Sequence, residues 1–311
     1  MNQNSLKPFG FAVIDKPVGI TSNAVLSQVR RIVSTKRAGH TGTLDPFASG
    51  VLVVGFGAAT RLFPLITSKV KRYTAVIHLG VRTDTADVTG DVTGNHSVPN
   101  LSAIDLDVIS HSFIGKQAQT PPAYSAKKVG GVPSYVLARN NQAKALKPVD
   151  IEIYELKITD IPGTQNLEID VLCSRGTYIR TLGESIAERL GTLGYCQSLR
   201  RELSDGFTMD DAVPLDEFVP TSTVDPQRIF DRFAAGFIEI DICTQAKYGH
   251  QIDLKALFMT DLRSIGEGDV IAVFCDPDHH DGNKQMLSYC HLVGMYKVKE
   301  MRWLTPLMVF A

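Results

Sequence analysis

The residues from Arg37 to Phe56, RAGHTGTLDPFASGVLVVGF, constrain this chain more than any other stretch. Gly39, Gly42 and Gly50, the hydroxyls of Thr41, Thr43 and Ser49, one histidine (His40) and one carboxylate (Asp45) share a short loop. A strand-like apolar run, Val51 to Phe56, follows. Glycines let a backbone approach a ligand closely and adopt positive φ. Pro46 pushes Asp45 out of the helical region, so the carboxylate stands on stiffened, extended backbone. A loop built this way is either a tight turn or a site.

Charge favours a site. The first 80 residues hold ten Lys/Arg and two acids, Asp15 and Asp45, a surplus of +8 in a chain whose net charge is −1. Residues 116–147 add six Lys/Arg and no acid, whereas residues 205–241 carry nine acids against Arg228 and Arg232. The pI near 6.7 therefore hides an asymmetry: one basic face suited to a polyanion, and an acidic segment elsewhere. A single acid in such a surround is expected to be ionised and electrostatically framed.

At 311 residues, two domains are expected, one of them large. Hydrophobic (44%) and charged (21%) fractions are those of an ordinary globular protein. No apolar run reaches the roughly 18 residues of a membrane span, and the N-terminus lacks a signal-peptide core. The expected address is cytoplasmic. The five scattered cysteines form no CxxC pair and read as reduced, mostly buried thiols.

Along the chain, Phe11–Ile14 reads as a strand. A helix capped by Thr21 or Ser22 follows, with Val25, Leu26, Val29, Ile32 and Val33 at helical spacing. Residues 58–66 and 102–114 read as helices, and Tyr73–Leu79 as a strand. Residues 151–161 and 167–173 read as strands joined at Pro162-Gly163. A helix is expected over 177–190 and a strand over 193–204. From Gly236 onward, short strands (238–242, 270–274, 287–295, 307–310) suggest a small β-rich unit. The Asp276–Gly282 tract, rich in Asp and His, reads as a solvated turn rather than a metal site.

Six motifs carry a family resemblance: DKPVGITS (15–22), RAGHTGTLDPFASGVL (37–52), KRYTA (71–75), LGVRTDTADVTG (79–90), PPAYSAKKVGG (121–131) and SRGTYIRTLGESIAERLG (174–191). In this order and spacing, the chain resembles the TruB family of tRNA pseudouridine synthases over roughly residues 11–204. The resemblance implies an α+β pseudouridine synthase catalytic fold. Its central sheet would be mixed, mostly antiparallel and flanked by helices, with a PUA-like β-barrel after it. The implied division is 1–235, with a basic insertion near 116–147, and 236–311. The implied activity is isomerisation of uridine-55 in the T arm of tRNA by base flipping. The implied partner is the T stem-loop, met by a monomer without membrane, metal or cofactor.

The same resemblance implies the site. Asp45 takes the place of the catalytic aspartate, the nucleophile; direct attack on the sugar and a glycal-type elimination both stay open. Arg180 would pair with it and favour its charged form. Tyr73 would stack on the flipped base and could relay a proton if its pKa were lowered. His40 would sit beside the flipped nucleotide, and Leu199 would line the base pocket. Lys16 and Tyr178 would support these groups, Lys16 equally serving as a phosphate contact. Lys36, Arg37, Lys71, Arg72, Lys127 and Lys128 are candidate RNA phosphate contacts. Two other readings remain: a guide-RNA-dependent relative that modifies ribosomal RNA, and a tRNA-binding or tRNA-folding protein without catalysis.

Overall fold

The structure, a computed structural model, describes residues 9–125, 127–140, 142, 146–225, 228–229, 233–259, 267–276, 292–300 and 302–310. Strand β1 (Gly10–Lys16) leads through helix α1 (Ser22–Ile32) to the short β2 (Ala38–His40) and to β3 (Ser49–Phe56). A 3-10 segment (Gly57–Leu62) and the single turn α2 (Phe63–Ile66) precede β4 (Val70–Leu79). A ribbon of β5 (Val81–Thr83) and β6 (Val92–Asn95), then α3 (Leu106–His111), lead to β7 (Gly115–Gln119). A second ribbon, β8 (Lys128–Val129) and β9 (Val132–Pro133), stands before α4 (Ser134–Arg139). The hairpin of β10 (Val149–Ile161) and β11 (Asn166–Ser174), helix α5 (Ile179–Arg189), β12 (Gly194–Ser204), β13 (Phe207–Thr208) and β14 (Val213–Pro214) complete the larger sheet. The C-terminal part holds β15 (Ala234–Glu239), α6 (Ile240–Lys247), β16 (Ile252–Asp253), β17 (Phe258–Met259), β18 (Val270–Asp276), β19 (Leu292–Lys299) and β20 (Trp303–Val309).

The larger sheet runs β14-β1-β3-β12-β4-β11-β10-β7, with β2 on β3 and β13 on β12. Its pairs are antiparallel except β1/β14 and β12/β3, so it is mixed and mostly antiparallel, as expected. Alternation along the strands fixes what packs on each face. On one face, Ala12, Ile14, Leu52, Val54 and Phe56 meet Val25, Leu26 and Val29 of α1. On the other, Phe11, Val13, Val51 and Val53 meet Ala272, Phe274, Leu292, Met295 and Phe310 of the C-terminal sheet. Both faces are covered there, which is why β3 is apolar without a break. Further along, α5 lays Ile179, Leu182, Ile186 and Ala187 on β4, β11 and β12. Gly183 allows this close approach: a Cβ there would stand 2.6 Å from Ile77 Cδ1.

Thr21 caps α1 through its side chain, as the sequence suggested. The helix expected over 102–114 is shorter, because Asp105 caps at its own position and starts α3 one residue later. The strand expected over 238–242 ends at Glu239. The chain turns into α6, burying Cys243 and Ala246, a three-residue helical spacing that the β-rich reading passed over. The smaller sheet, β16-β20-β19-β18-β15-β17, is a curled half-barrel with one parallel pair, β15/β18. Cys243 and Cys275 form a disulfide, correcting the expectation of reduced thiols, while Cys173 and Cys196 are free and buried. Residues 277–282 of the Asp/His tract lie outside the described residues. Among the described residues, no helix is long and apolar enough to cross a membrane.

Candidate active site

The glycine loop is pinned before Asp45 is reached. Ser22 Oγ accepts from Leu44 N–H at 2.9 Å and donates to the Leu44 carbonyl at 3.0 Å. Gly19 N–H donates to the Pro46 carbonyl at 2.8 Å, and Ala48 N–H to the Asp45 carbonyl at 3.1 Å. Arg201, 1% exposed, reaches in from β12: its Nε donates to Val51 O at 2.7 Å and its Nη2 to Gly42 O at 3.0 Å. Gly50, at φ +102°, pairs with Arg201, and a Cβ there would stand 2.3 Å from Arg201 O. Only glycine fits that approach.

Asp45 meets Arg180 from the first turn of α5, Nε to Oδ2 at 3.0 Å. Arg180 is 3% exposed and spends its remaining donors on Asp87 Oδ2 (3.3 Å), Thr85 O (2.6 Å) and Tyr124 O (2.7 Å). One guanidinium thus ties the glycine loop, the LGVRTDTADVTG segment and the PPAYSAKKVGG segment together. Asp87 is itself held, its Oδ1 accepting from Thr85 Oγ1, Thr89 N–H and Thr89 Oγ1. Asp45 and Arg180 line one side of a cleft of about 480 Å³, shared with Tyr73, Tyr178, Leu199, Lys127 and Ser125.

The electrostatics differ from the sequence expectation. Burial pushes the Asp45 carboxyl above the usual carboxylate range, more than Arg180 pulls it down; Asp87 adds to the rise and Lys16 opposes it. Asp45 therefore is not a solitary acid among cations, because Asp87 shares its arginine. Burial also raises the Tyr73 phenol, with Arg201 beside it pulling the other way. The lowered pKa that a proton relay would require is absent, and Tyr73 holds its proton.

Several cations expected on the surface are interior groups. Lys16 is 0% exposed, donating to Pro17 O (2.8 Å) and Ile20 O (2.7 Å), and burial lowers its pKa to about 8. It holds the DKP turn and is no phosphate contact. Lys71 borders the cleft but is buried against Asp205 (2.7 Å) and Ser204 Oγ (2.8 Å), so its charge is already paired within the protein. Arg72 is more exposed but pairs with Asp170 and Glu155. Lys36 and Arg37 are exposed, Arg37 donating to Thr60 Oγ1, and neither lines the cleft. Lys127 does line it; the Lys128 side chain lies outside the described residues. His40 stands in β2 opposite Val54, half-buried, one residue before the cleft-lining Thr41; burial lowers its pKa, so it is neutral at pH 7.

Sequence reasoning missed Asp87, Arg201 and Asp205. Arg201 was within reach: in a strand, residues 199 and 201 share a face, and Leu199 was already assigned to the pocket. Asp87 lay inside a quoted motif but had two acidic neighbours, Asp84 and Asp91, and nothing local separates the three. Asp205 is 0% exposed at φ +56°. It accepts from Lys71, Ser68 N–H, Ser204 Oγ and Thr41 Oγ1, so it links the catalytic loop to β4 and β12.

Comparison with known proteins identifies a family. The model of the TruB family pseudouridylate synthase N-terminal domain matches residues 30–179. A tRNA pseudouridine synthase B of Geotalea uraniireducens is 44% identical over 209 residues, 67% of each chain. One of Francisella philomiragia is 41% identical over 217 residues, 70% of this chain and 72% of that one. Among solved structures, an H/ACA RNP bound to a substrate RNA containing 2'-deoxyuridine matches with TM-score 0.65 and 20% identity, over 98% of this chain and 86% of that one. A Cbf5-Nop10-Gar1 complex matches with TM-score 0.65 and 21% identity, over 97% of this chain and 84% of that one. These two likenesses concern the fold.

Proposed function

This chain belongs to the TruB family of pseudouridylate synthases, and from that premise we propose that it isomerises uridine-55 in the T arm of tRNA to pseudouridine. The reaction breaks the bond from N1 of uracil to the ribose C1′ and forms one from C5 to the same carbon. N1 gains a proton and C5 loses one, so no atom or electron is consumed. The protein must supply a carboxylate at C1′, a surface that holds the detached base, and exclusion of water.

The observation that carries this reading is the Asp45–Arg180 pair at 3.0 Å on a cleft that Tyr73 and Leu199 also line. Arg180 orients the carboxylate at the sugar. The Tyr73 ring and the Leu199 side chain give the base an apolar bed while it turns. Extruding a nucleotide takes a few kcal/mol, which phosphate contacts offset. Lys127 on the cleft, with Lys36 and Arg37 outside it, supplies such contacts. Residues 1–235 act as the catalytic unit and 236–311 as a PUA-like RNA-binding unit, in a cytoplasmic monomer.

The test is incubation with an unmodified tRNA transcript, without guide RNA or cofactor, followed by mapping of the modified position. Pseudouridine at position 55 is the expected result. Modification that appears only when a guide RNA is added would favour the ribosomal RNA reading, which the fold of the H/ACA complexes motivates. Binding without isomerisation would leave a tRNA-handling protein.

A further inference from the structure

The cations of the cleft are unevenly committed. Arg180, Arg201 and Lys71 are each bound to protein oxygens. Lys127 and Arg175 line the same cleft and form no ion pair among the described residues, Lys127 Nζ donating to Lys147 O at 3.5 Å. Helix α5 opens on this cleft through Thr177, Tyr178 and Ile179, with no acid in its first turn; its N-cap Tyr178 makes no side-chain cap, and the Tyr178 N–H donates to Gln119 Oε1 at 2.8 Å. The first amides of a helix have no partner within it and mark its positive end.

A second observation lies on the same wall. Ser125 is 3% exposed, and its Oγ is buried with no hydrogen-bond partner among the described residues. Its backbone is fixed: its N–H donates to Ala123 O at 3.0 Å, and its carbonyl accepts from Tyr135 N–H at 3.0 Å. The preceding carbonyl, Tyr124 O, is bonded to Arg180, which places Ser125 beside the first turn of α5. Buried hydroxyls without partners are uncommon. One on a cleft wall, beside two cations that have no carboxylate partner among the described residues and beside the start of α5, acquires its partner when an anion enters.

We infer that Ser125, Lys127, Arg175 and the first turn of α5 form a subsite for a single phosphodiester group of the RNA strand, next to the nucleotide drawn toward Asp45. The inference rests on the RNA-modifying reading above. A phosphodiester carries one negative charge on two non-bridging oxygens, each able to accept from several donors, and this wall presents hydroxyl, amide and cationic donors together. The carboxylate on the cleft, Asp45, is turned to Arg180, which also pairs with Asp87. A phosphate fixed here sets where the attached ribose lies relative to Asp45, so the subsite positions the substrate without touching the base.

The experiment is a phosphate scan. Stem-loop RNAs carry one neutral methylphosphonate at a time around the target uridine, and their affinities are measured with the wild-type chain, Ser125→Ala and Lys127→Met. One position is expected to weaken wild-type binding roughly tenfold. That position should cost much less in both variants, because protein and RNA changes then remove the same contact. Deleting a partnerless hydroxyl should not lower the melting temperature of Ser125→Ala, which separates a lost contact from lost folding. A scan in which no position matters, or in which the two losses simply multiply, overturns the subsite. Failure of the wild type to isomerise the unsubstituted RNA overturns the activity instead, and the binding cycle still decides the subsite.

Discussion

Asp45 is pulled two ways, upward by burial and by Asp87, downward by Arg180 and Lys16. Asp45→Asn keeps the shape and removes the carboxylate charge; turnover should fall more than about a thousandfold, with RNA affinity within a few-fold. A single-turnover assay beside filter binding checks this, and near-normal turnover would remove Asp45 from the chemistry. Asp87→Asn acts through Arg180. With the neighbouring negative charge gone, the Asp45 carboxyl ionises at lower pH, so the acid limb of the rate profile should move down in pH while the plateau drops. An unmoved acid limb would mean that Asp87 does not reach Asp45 electrostatically. Lys16 gives a stability signature. Its pKa is about 8 when folded against an ordinary 10.5, so the folded chain binds fewer protons between those values, and stability rises with pH across that window. Lys16→Met should flatten the rise in denaturant midpoint from pH 8 to 10.

At the scale of elements, the catalytic loop is held from two strands. Arg201 fastens its carbonyls from β12, and the Lys71–Asp205 pair links Thr41 to the start of β4, two residues before Tyr73. Removing one member of a buried pair leaves an uncompensated charge and costs about 3–5 kcal/mol. Asp205→Ala should therefore lower urea stability by about that amount or more, because alanine is no easier at φ +56° than aspartate. The double change Lys71→Met with Asp205→Gly should recover most of the loss. If the single change costs under about 1 kcal/mol, the pair is not the clamp described.

For the whole molecule, the main constraint is that the larger sheet has no free face at β1 and β3. Phe11, Val13, Val51 and Val53 pack on residues of the smaller sheet, and Phe9 meets Phe310 edge-on at 5.6 Å. Phe310→Ala should cost about 3 kcal/mol or more by opening that seam. Its effect should appear in the unfolding of both sheets together. Two separated transitions by calorimetry, only the later one unchanged, would show that the sheets are energetically independent. RNA affinity belongs to this scale too. Neutralising both Lys36 and Arg37 should shallow the salt dependence of binding by about two phosphate contacts if both face the RNA.

Much of this was legible in the chain itself. The apolar runs of β1 and β3, the Thr21 cap of α1 and the Pro-Gly hairpin between β10 and β11 are local, and local chemistry dictates them. The pairing of Asp45 with Arg180 came through family motifs, since 135 residues of sequence separate the partners and no spacing rule bridges them. What only the tertiary structure decided is which charges face water. Lys71 read as an RNA-facing cation and Lys16 as a support or a phosphate contact, yet both are buried, as is Arg201, because a lysine or arginine stem can lie in a core wherever carbonyls or a carboxylate wait at its tip. Ser125 and Asp87 likewise acquire meaning only from neighbours distant in sequence. The sequence determined the elements and the reacting carboxylate; the fold determined which side chains hold it and which remain open to a substrate.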